Sequence, residues 1–280
     1  MAVAIVTDST ASLDPADAAR EGIEVVPLQV IIGAEVHTEG VDVTADMIAE
    51  ALAAYVPVST SRHTPDDFLT VYERLASEGA TEIVSVHLSA KMSGTLDSAE
   101  LAAKQASVPV TCVDTRHVGI ATGFAAGRAA RARDAGGDAL AVADAARTAG
   151  ESSTTLLYVD TLEYLKRGGR VGAAAALIGS TLAVKPLLGF KDGAVVPLER
   201  VRTASKALAR LEAIALEACR QCGDGFDIGV QHLANPTTAE AVAGRLAAEL
   251  GRDSVPVDEV GAAIGAHVGP GMVAVAVTPA

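Results

Sequence analysis

This 280-residue sequence predicts an α/β chain in two domains: an N-terminal parallel α/β sheet domain over residues 1–153 and a C-terminal α+β domain over residues 154–280. Three observations carry that prediction. Short apolar runs alternate with segments of helical spacing through the first half, the pattern of a parallel sheet covered on both faces. The second half changes rhythm, placing a hairpin signal and long helices between its strands. Half of the residues are hydrophobic but only 3% are aromatic, so the core must be built from Ala, Val, Leu and Ile.

The elements follow in order along the chain. Residues 2–6 form an apolar run ending in Thr7-Asp8-Ser9-Thr10, a buried strand that delivers a polar loop. Pro15 suits the first turn of a short helix. Residues 25–32 read as one strand, and 45–55 and 65–77 have helical spacing, with Thr64 and Asp67 placed to cap the second helix reciprocally. A strand over 82–87, a helix over 93–105, a strand over 108–113 and helices over 119–133 and 139–149 complete the first half. A strand over 155–159 opens the second half. Lys191-Asp192-Gly193 joins strands over 185–190 and 194–198, because Asp-Gly favours the positive dihedrals of a tight hairpin turn. A helix over 203–220, a strand over 228–232, a helix over 237–250 and a terminal strand over 272–277 finish the chain. The run Gly265-Ala266-His267-Val268-Gly269-Pro270-Gly271 reads as a loop that presents one histidine amid residues of special dihedral freedom.

The net charge of −13 disfavours a general nucleic-acid-binding role, since such a surface repels phosphates. Basic residues nonetheless gather between positions 167 and 206: Arg167, Arg170, Lys185, Lys191, Arg200, Arg202 and Lys206. They form either a solvated face, or a basic rim for an acidic ligand or partner. Residues 1–8 lack a basic leader, and the apolar stretch 171–184 is too short for the ~20 residues a spanning helix needs. A soluble, cytoplasmic protein is expected, without a membrane-spanning segment and at most in transient membrane contact. Three cysteines argue against a disulfide framework. Cys219-x-x-Cys222 has no second pair to complete a zinc site, and Cys112 reads as a small core residue.

Several residues have the chemistry to bind an anion. Ser93-Gly94-Thr95 lies where a loop gives way to a helix, whose first N–H groups are unpaired and whose end carries partial positive charge. Glycine there lets a carboxylate or phosphate approach; simple capping by Ser93 is the alternative. Thr60 and Ser61 stand at a second strand-to-helix junction with hydroxyls to donate, or belong to an ordinary turn. His267 can donate to a carboxylate when neutral and pair with it when charged. No G-x-x-x-x-G-K-[ST], G-x-G-x-x-G or G-x-S-x-G is present, and the other histidines lack metal-ligand spacing. A hydrolase or acyl transferase using Ser93, His267 and an aspartate stays open, because triads follow no fixed order. So does a structural protein that holds a partner and has no ligand of its own.

The sequence resembles the DegV family of lipid-binding proteins. Thr7-Asp8-Ser9-Thr10, Ser59-Thr60-Ser61, Leu88 to Thr95, Thr161 to Gly172, Lys185-Pro186 and Gly265 to Gly271 occur in the family's order. The resemblance implies a two-domain DegV-like fold with a long-chain fatty acid bound between the domains, its tail in an apolar tunnel of the C-terminal domain. Carried over by motif, Thr60 or Ser61, Ser93, Gly94 and His267 meet the carboxylate. The family implies a carrier that is not itself catalytic, needs no cofactor, and presents the fatty acid to a separate fatty acid kinase for acyl-phosphate formation and phospholipid synthesis. Residues 173–184, with Leu177, Ile178 and Leu182, are a candidate tunnel wall or plain core. Arg170, Arg200 and Arg202 are placed at the mouth or on the kinase-docking face. One departure stands out: Arg62-His63 occupy the place of the family's usual Gln-Pro. Arg62 is expected to contact the head group or meet the partner; the alternative is that Arg62 and His63 both face solvent.

Overall fold

The computed structural model describes residues 3–177, 185–223 and 225–280. Its contacts divide the chain into two compact units, Met1–Gln29 with Ser61–Ser152, and Val30–Thr60 with Ser153–Ala280. Residues 30–60, placed by sequence in the N-terminal domain, therefore group with the later part of the chain.

In chain order, the first unit opens with β1 (Val3–Asp8), α1 (Pro15–Glu21) and β2 (Ile23–Val26). The excursion follows: β3 (Gln29–Ile32), β4 (Glu35–Thr38), α2 (Ala45–Ala53) and β5 (Val58–Ser61). The chain then returns through α3 (Pro65–Ser77), β6 (Glu82–His87), α4 (Thr95–Ala103), β7 (Val110–Asp114), α5 (Ile120–Asp134) and α6 (Ala139–Ser152). The second unit continues with β8 (Thr154–Tyr158), α7 (Glu163–Arg167), β9 (Lys185–Lys191), β10 (Ala194–Val201), α8 (Ala204–Gln221), β11 (Phe226–His232), α9 (Pro236–Leu250), β12 (Val257–Glu259), α10 (Ala262–Val268) and β13 (Val273–Pro279).

The first unit is the predicted parallel sheet, in the order β2-β1-β6-β7 with every pairing parallel. Strand periodicity distributes its side chains to two cores. Val3, Ile5, Val84 and Val86 meet the alanine faces of α5 and α6, including Ala125, Ala129, Ala143 and Ala146. Val6 and Ile83 turn to the other face, against Phe68 and Tyr72 of α3 and Ala99 and Ala102 of α4. Small side chains let the helices lie close to the sheet, which suits a chain so poor in aromatics.

The second unit carries a mixed six-stranded sheet, β10-β9-β8-β13-β11-β12. Here β11 and β12 pair in parallel and the remaining pairs are antiparallel. Leu211 and Ala215 of α8 and Val242 and Leu246 of α9 cover Leu156, Val230, Val273 and Val275. The predicted hairpin is present: Asp192 and Gly193 take φ of 50° and 81°, both positive as a tight turn between right-twisted strands requires.

Two expectations are corrected. The single strand over 25–32 is two strands divided at Pro27, which has no N–H for a ladder; β2 joins the parallel sheet and β3 a three-stranded sheet, β4-β3-β5. The glycine-proline run at 265–271 is not all loop. Its first part belongs to helix α10, which starts after Gly261 and ends at Gly269, where φ is +75°.

Candidate functional site

In the second unit, α10 carries His267 in its last turn. Two sequence motifs distant along the chain are pressed together around it. A Cβ on Gly168 would lie 2.2 Å from His267 Nδ1, and one on Gly269 would lie 2.0 Å from Tyr164. Gly271 has φ of +89°, and a Cβ there would come within 2.7 Å of the Asp160 carboxylate. Gly168, Gly269 and Gly271 are thus places where no side chain fits without displacing a neighbour.

The other end of α10 is fixed by Glu39, whose buried carboxylate accepts the Ala263 N–H at 2.7 Å. Sequence reasoning missed this residue, because nothing local links position 39 to position 263.

His267 Nε2 is 2.9 Å from the Thr60 hydroxyl. Its Nδ1 is buried and has no hydrogen-bond partner among the described residues. Burial, then the nearby Arg170 guanidinium, push the imidazole down to about 4. At neutral pH the ring is therefore uncharged, and one nitrogen must carry the proton. If the Thr60 hydroxyl donates to Nε2, that proton sits on Nδ1 as a buried donor awaiting an acceptor. Arg170 is half-buried, with its guanidinium donating to the Gly168 carbonyl.

The first unit holds Ser61, Arg62, Ser93 and Gly94. The Ser93 hydroxyl is 2.9 Å from Thr95 Oγ1 and accepts the Thr95 N–H at 3.3 Å. Gly94 is the formal cap of α4 and makes no side-chain capping bond. Capping by Ser93 and a ligand role are thus compatible, since its oxygen touches the first helical N–H while its residue stays partly exposed. In this unit the partners of the Ser93 hydroxyl belong to Thr95 rather than to a general base, which gives the hydrolase alternative no support. Arg62 is exposed and lies over Gly94, its Cδ 3.2 Å from where a glycine Cβ would stand. Ser61 donates to Gln29 Oε1 at 3.4 Å.

His63 does not face solvent. It is 4% exposed, its Nε2 3.2 Å from the Val26 carbonyl and its Nδ1 3.4 Å from Thr95 Oγ1, with its ring against Phe68. The Arg62-His63 departure is therefore one exposed cation and one buried ring.

A second feature absent from the sequence reading is a buried polar chain beneath β1 and β6. His87 Nδ1 donates to Asp8 Oδ2 at 2.8 Å, and His87 Nε2 is 2.7 Å from Ser85 Oγ, which also accepts the Tyr72 hydroxyl at 2.8 Å. Burial alone would raise the Asp8 carboxyl, but hydrogen bonds from His87 and Thr10 hold it below the usual range. The order Asp-His-Ser is that of a hydrolytic triad, yet Asp8, Ser85 and His87 are all 0% exposed. No substrate reaches them, so they act as a satisfied core network.

The remaining predicted residues have modest settings. Arg200 is exposed on β10 and Arg202 exposed just beyond it. Leu177 is buried, whereas Ile178 and Leu182 of the candidate tunnel wall lie outside the described residues. All three cysteines are free thiols, and burial pushes Cys219 up to about 11, unlike a reactive thiolate. Among the described residues no cluster suited to a metal ion occurs, and no helix is long and apolar enough to cross a membrane.

A parallel α/β unit and an α+β unit, bearing hydroxyl and imidazole donors in place of a nucleotide loop, define the class of fold. The chain belongs to the DegV family: the model described as "Uncharacterised protein, DegV family" matches residues 2–280. A DegV domain-containing protein of Streptomyces coelicolor is 50% identical, with 99% of this chain and 98% of that protein covered. Among solved structures, a fatty-acid-binding DegV family protein from Thermus thermophilus is 31% identical over the full length of both chains, with a TM-score of 0.89. DegV from Bacillus subtilis, also a fatty acid binding protein, is 28% identical over the full length of both, with a TM-score of 0.91.

Proposed function

We propose that this protein binds a long-chain fatty acid and presents its carboxylate to a partner fatty acid kinase, acting as a carrier rather than as the catalyst. The observation that carries the proposal is the His267–Thr60 pair. A neutral imidazole whose buried Nδ1 lacks a partner is a costly arrangement unless an acceptor comes to it. A carboxylate is acceptor-only and can take hydrogen bonds from Nδ1–H and from neighbouring hydroxyls at once. Gly168 lies directly against Nδ1, so any larger residue there would displace the ring. Arg170 adds positive charge without an ion pair to the ring itself. Ser61, Ser93 and Gly94 are proposed as further contacts of the head group, and Arg62, Arg200 and Arg202 as residues that meet the partner or line the mouth.

The acyl chain supplies most of the affinity. Each buried CH₂ contributes ~0.8 kcal/mol, so a C16 chain gains roughly 10 kcal/mol before ordering costs. The fatty-acid binding of the Thermus and Bacillus relatives supports this ligand class. The absence of a phosphate-cradling motif from the sequence fits a protein that leaves nucleotide chemistry to its partner.

The deciding experiment is mass spectrometry of a solvent extract of the purified protein, followed by palmitate titration of the delipidated protein. Co-purified fatty acid and saturable binding are expected. An extract free of fatty acid together with no binding would overturn the proposal. Covalent labelling of Ser93 by a fluorophosphonate would replace it with the hydrolase alternative.

A further inference from the structure

We propose that His63 is a positioning residue for the head group: through the Thr95 hydroxyl it decides whether Ser93 offers a proton or a lone pair to the ligand. This rests on the proposed binding of an anionic fatty acid at Ser93.

The geometry is a short relay running from the core of the first unit towards its surface. The Val26 carbonyl, 3.2 Å from His63 Nε2, is an acceptor only, so Nε2 must carry a proton in every charge state. The state of Nδ1 alone is then variable. When the ring is neutral, Nδ1 is a lone pair and the Thr95 hydroxyl, 3.4 Å away, donates to it. Thr95 Oγ1 then accepts the Ser93 proton across 2.9 Å. The relay points inward, and Ser93, which also accepts the Thr95 N–H, turns a lone pair outward.

When the ring is protonated, every hydroxyl reverses. Nδ1–H donates to Thr95, Thr95 donates to Ser93, and the Ser93 proton is free for an outside acceptor. A carboxylate can only accept, so it fits the second state with all partners satisfied. In the first state it must break the Ser93–Thr95 bond. Binding at Ser93 should therefore draw a proton onto His63, and by reciprocity a proton on His63 should tighten binding.

The surroundings poise the ring for this. His63 and Thr95 are 4% and 0% exposed, so no water competes with the relay, and the Ser98 hydroxyl holds the His63 carbonyl at 2.7 Å. Burial opposes the charged ring, as does His87 on β6; Asp8 on β1, Asp67 on α3 and the Val26 carbonyl favour it. Burial wins in the free protein and the pKa lies below the ordinary histidine value. Arg62, its neighbour in the chain, is exposed.

The test is histidine-labelled NMR of the whole protein, titrated with pH in the absence and presence of saturating palmitate. Hexadecane-1-sulfonate, which stays anionic throughout, serves as a control for protonation of the fatty acid itself. Binding of either probe is expected to move the His63 midpoint upward, and affinity for the sulfonate to rise about fivefold or more as the ring protonates. A charge acting only through space would give the same sign, so the relay is cut at both ends. In Thr95→Val and in Ser93→Ala the upward shift on binding should disappear, and in Thr95→Ser it should return. Should Thr95→Val not fold, the partly exposed Ser93→Ala carries the comparison alone. Binding with no change at His63, or an equal change in wild type and Ser93→Ala, overturns the relay while leaving fatty-acid binding intact. No binding of either probe overturns both.

Discussion

Thr60 Oγ1 and His267 Nε2 lie 2.9 Å apart although 207 residues separate them in sequence. The hydroxyl can serve the imidazole in only one direction at a time. With the ring neutral, donation from Thr60 places the proton on Nδ1, and donation from Nε2 leaves Nδ1 with a buried lone pair. Only the first suits the proposed carboxylate, so in the proposed complex Thr60 donates to the ring and Nδ1 carries the proton.

If so, the two residues act as a unit on ligand binding. Thr60→Val and His267→Gln should each weaken palmitate binding by ~1.5–3 kcal/mol, or roughly tenfold to a hundredfold. The double variant should lose clearly less than the sum, because each change already disables the other partner. Calorimetric titration of the four proteins gives the coupling. Strictly additive losses would mean that Thr60 and His267 contact the ligand independently.

The depressed pKa of His267 also makes stability depend on pH. The group titrates near 6.5 when unfolded and about 4 in the folded protein. Between those values the unfolded chain binds a proton that the folded chain does not, so stability rises with pH across the window. The group costs the folded state nothing above pH 6.5, and the loss of stability grows as pH drops, reaching about 3 kcal/mol once pH is below 4. Urea unfolding at several pH values should show a shallower slope between pH 4 and 6.5 for His267→Asn than for wild type. Parallel curves would place the folded ring near its ordinary pKa.

Much of the local structure was legible because local signals agreed with one another. Helix α3 begins at Pro65 with the Thr64–Asp67 capping box and strand β6 runs over Glu82–His87, both as read from periodicity and caps. Helix α10 was not legible, since Gly261, Gly265 and Gly269 dilute its signal and its support comes from Glu39, far away in sequence. The individual candidates Thr60, Ser93 and His267 came from motif resemblance, but their partners did not. The Thr60–His267 bond and the Asp8–His87 bond span 207 and 79 residues, and no period or propensity encodes such pairings. The grouping of residues 30–60 with the later unit was hidden for the same reason. The burial of His63 was missed because a histidine beside an arginine at a strand end looks like surface.

Gly168 offers a way to disturb His267 without altering its chemistry. An alanine Cβ there would stand 2.2 Å from Nδ1 and 2.9 Å from Cε1, so the ring must move. Gly168 has an ordinary φ of −72°, and the substitution introduces no backbone strain. Gly168→Ala should therefore fold and yet bind palmitate at least tenfold more weakly, with loss of the Thr60–His267 hydrogen bond visible in the imidazole NMR signals. Wild-type affinity in the folded variant would show that the ring's position is not what the ligand requires.

Gly94 provides the complementary case, in which the protein itself does not need the glycine. Its φ is −78°, open to any residue, and a Cβ would meet only the Arg62 side chain, at 3.2 Å from Cδ and 3.4 Å from Nη1. Arg62 is exposed and can swing away, and an alanine restricts the unfolded chain more than glycine does, so Gly94→Ala should leave stability within about 1 kcal/mol of wild type. A head group that approaches the start of α4 through the bare Cα would nevertheless meet the new methyl. Palmitate affinity should then fall by roughly tenfold while thermal unfolding stays unchanged, a pattern that separates ligand approach from folding. Combining Gly94→Ala with Arg62→Ala sharpens the test, since removing the displaced arginine relieves any crowding inside the protein but not crowding of the ligand. Recovery of affinity in the double variant would assign the loss to the arginine. Persistent loss would assign it to the ligand's own contact with the backbone at Gly94. No loss in either variant would remove Gly94 from the head-group contacts and leave Ser93 to act through its hydroxyl alone.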